Sequence, residues 1–222
     1  MECAVSTSPW QLLINKSIKH SVVSAHLVHL SKDKKLKLIM EAQKPFILGL
    51  RNKVYLRLCA SILSQQLSTR VAKVLYQRFL DLYDGKEPSA KQILNTPATA
   101  FRNIGFSNAK ASYVHNVCRF FIENKITDAR LYKMSNEEVL KLLTQIKGVG
   151  KWTVEMILMF TLGREDIFAM DDLGLQQSMI KLYKLKETDK KLLRQKMEKI
   201  SKKWSPYRTY ACRYLWQWKD GD

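Results

Sequence analysis

Two short stretches of the 222-residue chain could do chemistry. The first is Gln145-Ile-Lys-Gly-Val-Gly-Lys-Trp-Thr-Val-Glu-Met-Ile157. Gly148 and Gly150 flank Val149, and a lysine stands on each side, Lys147 and Lys151. Glycine accepts positive φ and lets another group come close to the backbone. The helix that follows would start with unpaired N–H groups and a partial positive charge. Together these form a socket for a phosphate, with Lys147 and Lys151 adding charge and Val149 plugging the turn into its own domain. An ordinary glycine-capped turn between two helices carries the same local pattern. The second stretch is Phe168-Ala-Met-Asp-Asp-Leu-Gly-Leu175. Asp171 and Asp172 sit between an apolar segment and an apolar helix, an unusual place for two acids in so basic a chain. Aspartate is a favoured helix cap, and a carboxylate at a helix N-terminus is held ionised by the dipole. An ionised carboxylate is what stabilising a cationic centre requires.

The elements that must position these residues are helices, and the fold class expected is all-α. Val54–Leu67 and Thr69–Leu82 carry apolar residues at three- and four-residue spacing, and Ser107–Asn124 does the same. Ser135-Asn-Glu-Glu138 is a capping box that opens a helix ending near Gln145. The next helix should open at Lys151 and stop at Gly163. The join, Ile146–Gly150, has a typical length for antiparallel neighbours. Ser205-Pro206 should cap a last helix running to about Trp218. Residues 17–38 fit either a helix or a short sheet. Lys32–Lys37 is a charge run, expected as an exposed helix face. One internal echo stands out. Ile104-Gly-Phe-Ser-Asn-Ala-Lys110, like Ile146–Lys151, puts an apolar residue, a glycine turn and a lysine at a helix start.

Composition narrows the partners. Hydrophobic residues make up 46%, enough for a real core, so disorder is not expected. Lysine and arginine outnumber acids 38 to 20, and a net charge of +18 calls for a polyanion such as nucleic acid. A basic surface that serves only solubility is the plain alternative. The longest apolar run, Met156–Leu162, is far shorter than a bilayer needs, so no membrane role is expected. The start, MECAVSTSPWQLL, shows no pattern of a secretion signal. Cys3, Cys59, Cys118 and Cys212 are scattered, which argues against a zinc site or iron–sulfur cluster and for reduced, structural thiols. His20, His26, His29 and His115 show no partner pattern.

The residues match a known family. Leu143-Thr-Gln-Ile-Lys-Gly-Val-Gly-Lys-Trp-Thr-Val-Glu-Met156, followed by Phe168–Leu175, resembles the helix-hairpin-helix DNA glycosylases, and within them the DNA-3-methyladenine glycosylase II group. Ser61-Ile-Leu-Ser-Gln-Gln-Leu-Ser68 resembles the turn that enters DNA in that family. Trp204-Ser-Pro-Tyr-Arg-Thr-Tyr-Ala-Cys-Arg-Tyr-Leu-Trp216 resembles its C-terminal segment. The resemblance runs from about residue 45 to the end. It implies a helix-hairpin-helix glycosylase fold, with two helical lobes flanking a DNA-binding cleft. Residues 46–222 would form the core, with the hairpin at about 143–153, and residues 1–45 would join the lobes. The family's longest members carry a sheet domain at the start, for which this chain is too short.

Carried over by position, Asp172 matches the catalytic aspartate, and Asp171 is the less favoured of the pair. Trp152 and Trp216 match positions near the base pocket, with core packing as the plain alternative, above all for Trp216. Gln65, Gln66 and Leu67 match the wedge region. Which of them enters the stack stays open, and the family's apolar wedge aligns with Gln66. The resemblance gives DNA contacts to Lys147, Gly148, Gly150, Lys151 and Thr153. It gives the carbonyls of Thr144, Ile146 and Val149 to a structural sodium or potassium ion, with no other cofactor required. Lyase members carry a Schiff-base lysine two residues past the last hairpin glycine. That position is Trp152 here, so a monofunctional enzyme is expected. The iron–sulfur loop of other branches is missing. Arg208 would hold the last helix near the pocket, or form a surface ion pair worth little.

The implied function is base-excision repair. The enzyme would flip out an alkylated purine, 3-methyladenine or 7-methylguanine, and hydrolyse its glycosidic bond. Aromatic faces favour such a cationic base by roughly 0.5–2 kcal/mol. Asp172 would stabilise the oxocarbenium-like sugar, orient water, or both. The partner is double-stranded DNA with alkylated bases, and a monomer is expected. The location would be the cytoplasm, on a bacterial nucleoid, or the nucleus of a eukaryote. Two competitors remain: a non-catalytic helix-hairpin-helix module that binds DNA, and a glycosylase for another purine lesion.

Overall fold

The computed structural model describes residues 25–221, and every regular element among them is helical. The helices in chain order are α1 (Ala25–Leu30), α2 (Lys34–Glu41), α3 (Val54–Ser64), α4 (Thr69–Asp81), α5 (Ala90–Asn95), α6 (Ala98–Asn103) and α7 (Asn108–Glu123). Then follow α8 (Asp128–Lys133), α9 (Asn136–Leu143), α10 (Lys151–Phe160), α11 (Leu173–Tyr183), α12 (Lys190–Ser201) and α13 (Arg208–Asp220). None of them is long and apolar enough to cross a membrane. The stretch left open between helix and sheet gives α1 and α2, and its residues 17–24 lie outside the described part. The Lys32–Lys37 run leads into α2, with its lysines exposed and Leu36 buried.

The chain divides into two compact units. One takes the described residues up to Gly49 together with those from Gly163 onward, and the other spans Leu50–Leu162. Residues 25–45, expected in the segment joining the lobes, contribute α1 and α2 to the first unit.

The Leu50–Leu162 unit is built around α3 and α7, which pack on each other. α4 lies on α3, α5 and α6 lie on α7, and α10 packs on both α9 and α3. Its core holds Phe79, Phe101 and Phe106, with the Phe101 and Phe106 rings stacked at 5.4 Å. Local caps mark most helix starts. The Ser68 hydroxyl accepts from Val71 N–H, and the Ser107 hydroxyl accepts from Lys110 N–H. Ser135 and Glu138 form the expected capping box. The start of α3 is different. Lys53 is left-handed at φ 60° and caps nothing with its side chain. Instead the Asp128 carboxylate accepts from the N–H groups of Lys53 at 2.6 Å and Val54 at 3.0 Å.

In the other unit α13 packs on α11 and α2. Trp204 is fully buried. Asp33 caps α2 and also accepts from the Trp204 indole at 3.1 Å and the Tyr183 hydroxyl at 2.6 Å. One carboxylate thus joins three segments far apart in the chain. The last helix departs from expectation. It starts at Arg208 rather than at Ser205-Pro206, because the Ser205 hydroxyl donates to Asp166 instead of capping. Arg208 grips the same carboxylate, with Nε at 2.6 Å and Nη2 at 3.0 Å, and its backbone N–H lies 3.3 Å from Asp166 Oδ1. So α13 is capped from a distance. Burial pushes the Asp166 carboxyl up, but the bonds from Arg208 and Ser205 outweigh it and hold it below the usual carboxylate range.

Candidate functional site

The hairpin forms as the sequence demands, with two adjustments. α9 ends at Leu143, not Gln145, so the join runs from 144 to 150. α10 ends at Phe160, before Gly163. Val149 is 5% exposed and plugs the turn into its own unit. The two glycines have separate reasons to be glycine. Gly148 has φ 102°, and a Cβ there would lie 2.3 Å from Cγ of Tyr113 on α7. Its lack of a side chain serves internal packing. Gly150 has φ −91°, and a Cβ there would meet nothing within 4 Å. It is the N-cap of α10 and supplies no capping side chain. The open approach to the helix start is therefore at Gly150.

The charges around the turn differ too. Lys147 is exposed, and its carbonyl accepts from the Asn116 amide at 3.3 Å. Lys151 is exposed, with its ammonium 3.7 Å from the buried Glu155 carboxylate on the same helix. Thr153 is 2% exposed. That burial covers the whole residue, so the structure does not present the Thr153 hydroxyl on the surface as a phosphate contact.

The carbonyls expected to hold an alkali-metal ion differ in their hydrogen bonds. The Ile146 carbonyl accepts from Val149 N–H at 2.9 Å. Those of Thr144 and Val149 accept no backbone N–H among the described residues. Oxygen donors of that kind suit a hard cation. Among the described residues no group of three or more His, Cys, Asp or Glu could hold a metal.

The wedge segment is a turn, not the end of a helix. α3 stops at Ser64 rather than at Leu67, because Gln65 turns to ψ 131° and Gln66 is left-handed at φ 59°. Gln66 is exposed at the tip, while Gln65 and Leu67 are half-buried. Ser64, Gln65 and Gln66 border a recess of about 450 Å³ whose far wall includes Lys110, Tyr113 and Trp152. Trp152, in the first turn of α10, is half-buried there. Neither Lys110 nor Tyr113 was singled out as a site residue from sequence. The echo at 104–110 contained the clue for Lys110, and Tyr113 follows it by three residues on the same helix.

The carboxylate site belongs to the other unit. Asp172 is the N-cap of α11, and its Oδ1 accepts from Leu175 N–H at 2.7 Å. The same oxygen accepts from the Trp216 indole N–H at 2.8 Å. Trp216, on α13, is half-buried, so its indole is more than core filling. Asp171 is exposed and ion-paired with Arg194. Of the two adjacent acids, only Asp172 is fixed by a helix start and an aromatic donor. Gly174, the second residue of α11, makes room for this pair. A Cβ there would sit 3.2 Å from Asp172 Oδ1 and 3.6 Å from Trp216 Cδ1. Asp220, at the end of α13, has its carboxyl pushed up by burial, and the Asp172 charge adds to that shift.

A glycine-bearing turn between α9 and α10, an exposed turn after α3 and a capped aspartate beside an indole point to one class of protein. Residues 59–203 match the HhH-GPD superfamily base excision DNA repair protein model, and the chain belongs to that family. Among its relatives is DNA-3-methyladenine glycosylase 1 of Schizosaccharomyces pombe, 34% identical over 165 residues that cover 73% of this chain and 71% of the relative. The S. pombe enzyme solved with abasic DNA superposes with a TM-score of 0.76 at 30% identity, covering 87% of this chain and 96% of that one. A DNA-3-methyladenine glycosidase from Bacillus halodurans gives 0.76 at 32% identity, over 89% and 90% of the two chains.

Proposed function

We propose that the protein is a base-excision repair DNA glycosylase that hydrolyses the N-glycosidic bond of alkylated purines, 3-methyladenine and 7-methylguanine, after flipping the nucleotide out of duplex DNA. The observation that carries this is the double anchoring of Asp172 by the α11 N-terminus and the Trp216 indole. Two donors on one oxygen hold the carboxylate in place, ready to stabilise positive charge on the sugar and orient water. A base already methylated to a cation is a good leaving group, so no strong acid is needed. Trp152 in one unit and Trp216 in the other are each candidates, by the family resemblance, to offer a ring face to such a cation. The glycine-capped start of α10, with Lys147 and Lys151, would hold a phosphate of the damaged strand. Carbonyls of Thr144, Ile146 and Val149 would take a sodium or potassium ion, whose charge would reinforce that phosphate contact. The names of the relatives, both for 3-methyladenine, support the lesion class.

Trp152 stands where a Schiff-base lysine would have to be, so the reaction proposed is hydrolysis without strand cleavage. The test is release of free base from methylated duplex DNA by the native protein and by Asp172→Asn. Release should fall by about a hundredfold or more, the scale of losing one transition-state electrostatic partner, while DNA binding is kept. Borohydride should trap no protein–DNA adduct. Unchanged release by the variant would move catalysis away from Asp172. Tight binding with no release by the native protein would leave a DNA-binding module or a different lesion.

A further inference from the structure

The lysine of the internal echo has a job that the turn's resemblance to the hairpin does not account for. Lys110 sits in the first turn of α7. Its ammonium donates to the carbonyl of Leu63 at 2.8 Å and to the carbonyl of Gln65 at 3.0 Å. These carbonyls lie at the end of α3, where the helix dipole favours a cation. The Gln65 bond matters most. That carbonyl belongs to the peptide joining Gln65 to Gln66, so the bond fixes the plane of that peptide. The torsions on either side of the plane are ψ of Gln65, at 131°, and φ of Gln66, at 59°. They decide where the Gln66 side chain emerges. A left-handed conformation in a residue with a Cβ is strained and persists only when its surroundings hold it.

The support behind Lys110 is rigid. Ser107 caps α7 through Lys110 N–H, and the adjacent Phe106 is buried against Phe79 and Phe101. Burial pulls the Lys110 ammonium below its usual range, consistent with a side chain turned inward to the turn rather than out to solvent. We infer that Lys110 is a positioning residue for base flipping: it clamps the 64–67 turn so that Gln66 is presented to the base stack as the wedge. This rests on the proposed glycosylase reading, which supplies base flipping and the wedge role of the 65–67 turn. The clamp acts on insertion into duplex DNA, before any bond is broken.

The test uses the full chain with Lys110→Met, which keeps the aliphatic stem, and Lys110→Gln, which keeps a polar tip without the reach to bind both carbonyls. A duplex carries an abasic-site analogue with 2-aminopurine opposite it, and its fluorescence rises when a side chain unstacks that base. At saturating protein most of the rise should be lost in both variants, with affinity for undamaged duplex unchanged. Release of 3-methyladenine should fall from duplex but not from single-stranded DNA, where nothing has to be unstacked. A role in general stability would lower both releases together. A folded variant, judged by its melting temperature, that keeps the full fluorescence rise would overturn the inference. Failure of the glycosylase reading shows separately, as no release by the native protein while the fluorescence rise is intact.

Discussion

The two helix starts at the centre of the proposed chemistry are capped in opposite ways. α11 begins on a carboxylate, and Asp172 binds the helix N–H of Leu175. α10 begins on Gly150, which brings no capping side chain and has open space where a Cβ would stand. A helix N-terminus attracts an anion in either case. At α11 the chain supplies the anion, and the dipole holds it in place for use on something else. At α10 the chain supplies none, and the same field is left for an anion brought from outside. One device, with or without its own counter-charge, yields a reactive group in one place and a binding socket in the other.

Experiments can break this contrast from either side. The largest effect is expected from Asp172→Asn, which removes the resident charge and should cost about a hundredfold or more in base release with DNA affinity kept. Next is Gly148→Ala. It leaves both caps untouched but drives a Cβ into Tyr113 from a left-handed backbone. It should destabilise the protein by about 3 kcal/mol, the sum of typical strain and overpacking costs, seen as a lower midpoint in urea. Gly150→Asp is the sharpest test. At φ −91° and ψ 168° the position is suited to a capping side chain. The variant should melt no lower than the native protein, yet bind DNA about tenfold more weakly because α10 would carry its own anion. Equal or tighter binding would sink the socket reading. The smallest effect is Lys147→Ala. It should weaken binding alike on all sequences and lower the salt slope by about one.

Where the chain marks its structure locally, the sequence shows it. Ser107, Ser135 and Asp172 announce α7, α9 and α11, each through a bond from the N–H three residues on, and the glycines announce the hairpin. What could not be read is set by partners far along the chain. α13 starts late because Asp166, 42 residues before Arg208, takes over the capping that Ser205 was expected to provide. α3 starts on a left-handed lysine because Asp128 waits 75 residues further on. It stops early, at Ser64, where Lys110 reaches in from α7. The candidate site divides the same way. Residue types and spacing pointed to the hairpin and the Asp171–Asp172 pair, and the family resemblance picked out Asp172 and Trp152. The indole bond that ties Trp216 to Asp172, the burial of Thr153 and the clash that dictates Gly148 are all products of packing.

Gly174 shows how a site can claim a position from the helix that carries it. It is the second residue of α11, in the first turn. A Cβ there would press on Asp172 Oδ1 at 3.2 Å and touch Trp216 Cδ1 at 3.6 Å. Alanine would fit only if the carboxylate gave way by a few tenths of an ångström. The position is thus a gauge of how finely the charge is placed: what it measures is the fit of its neighbours, not the needs of its own backbone.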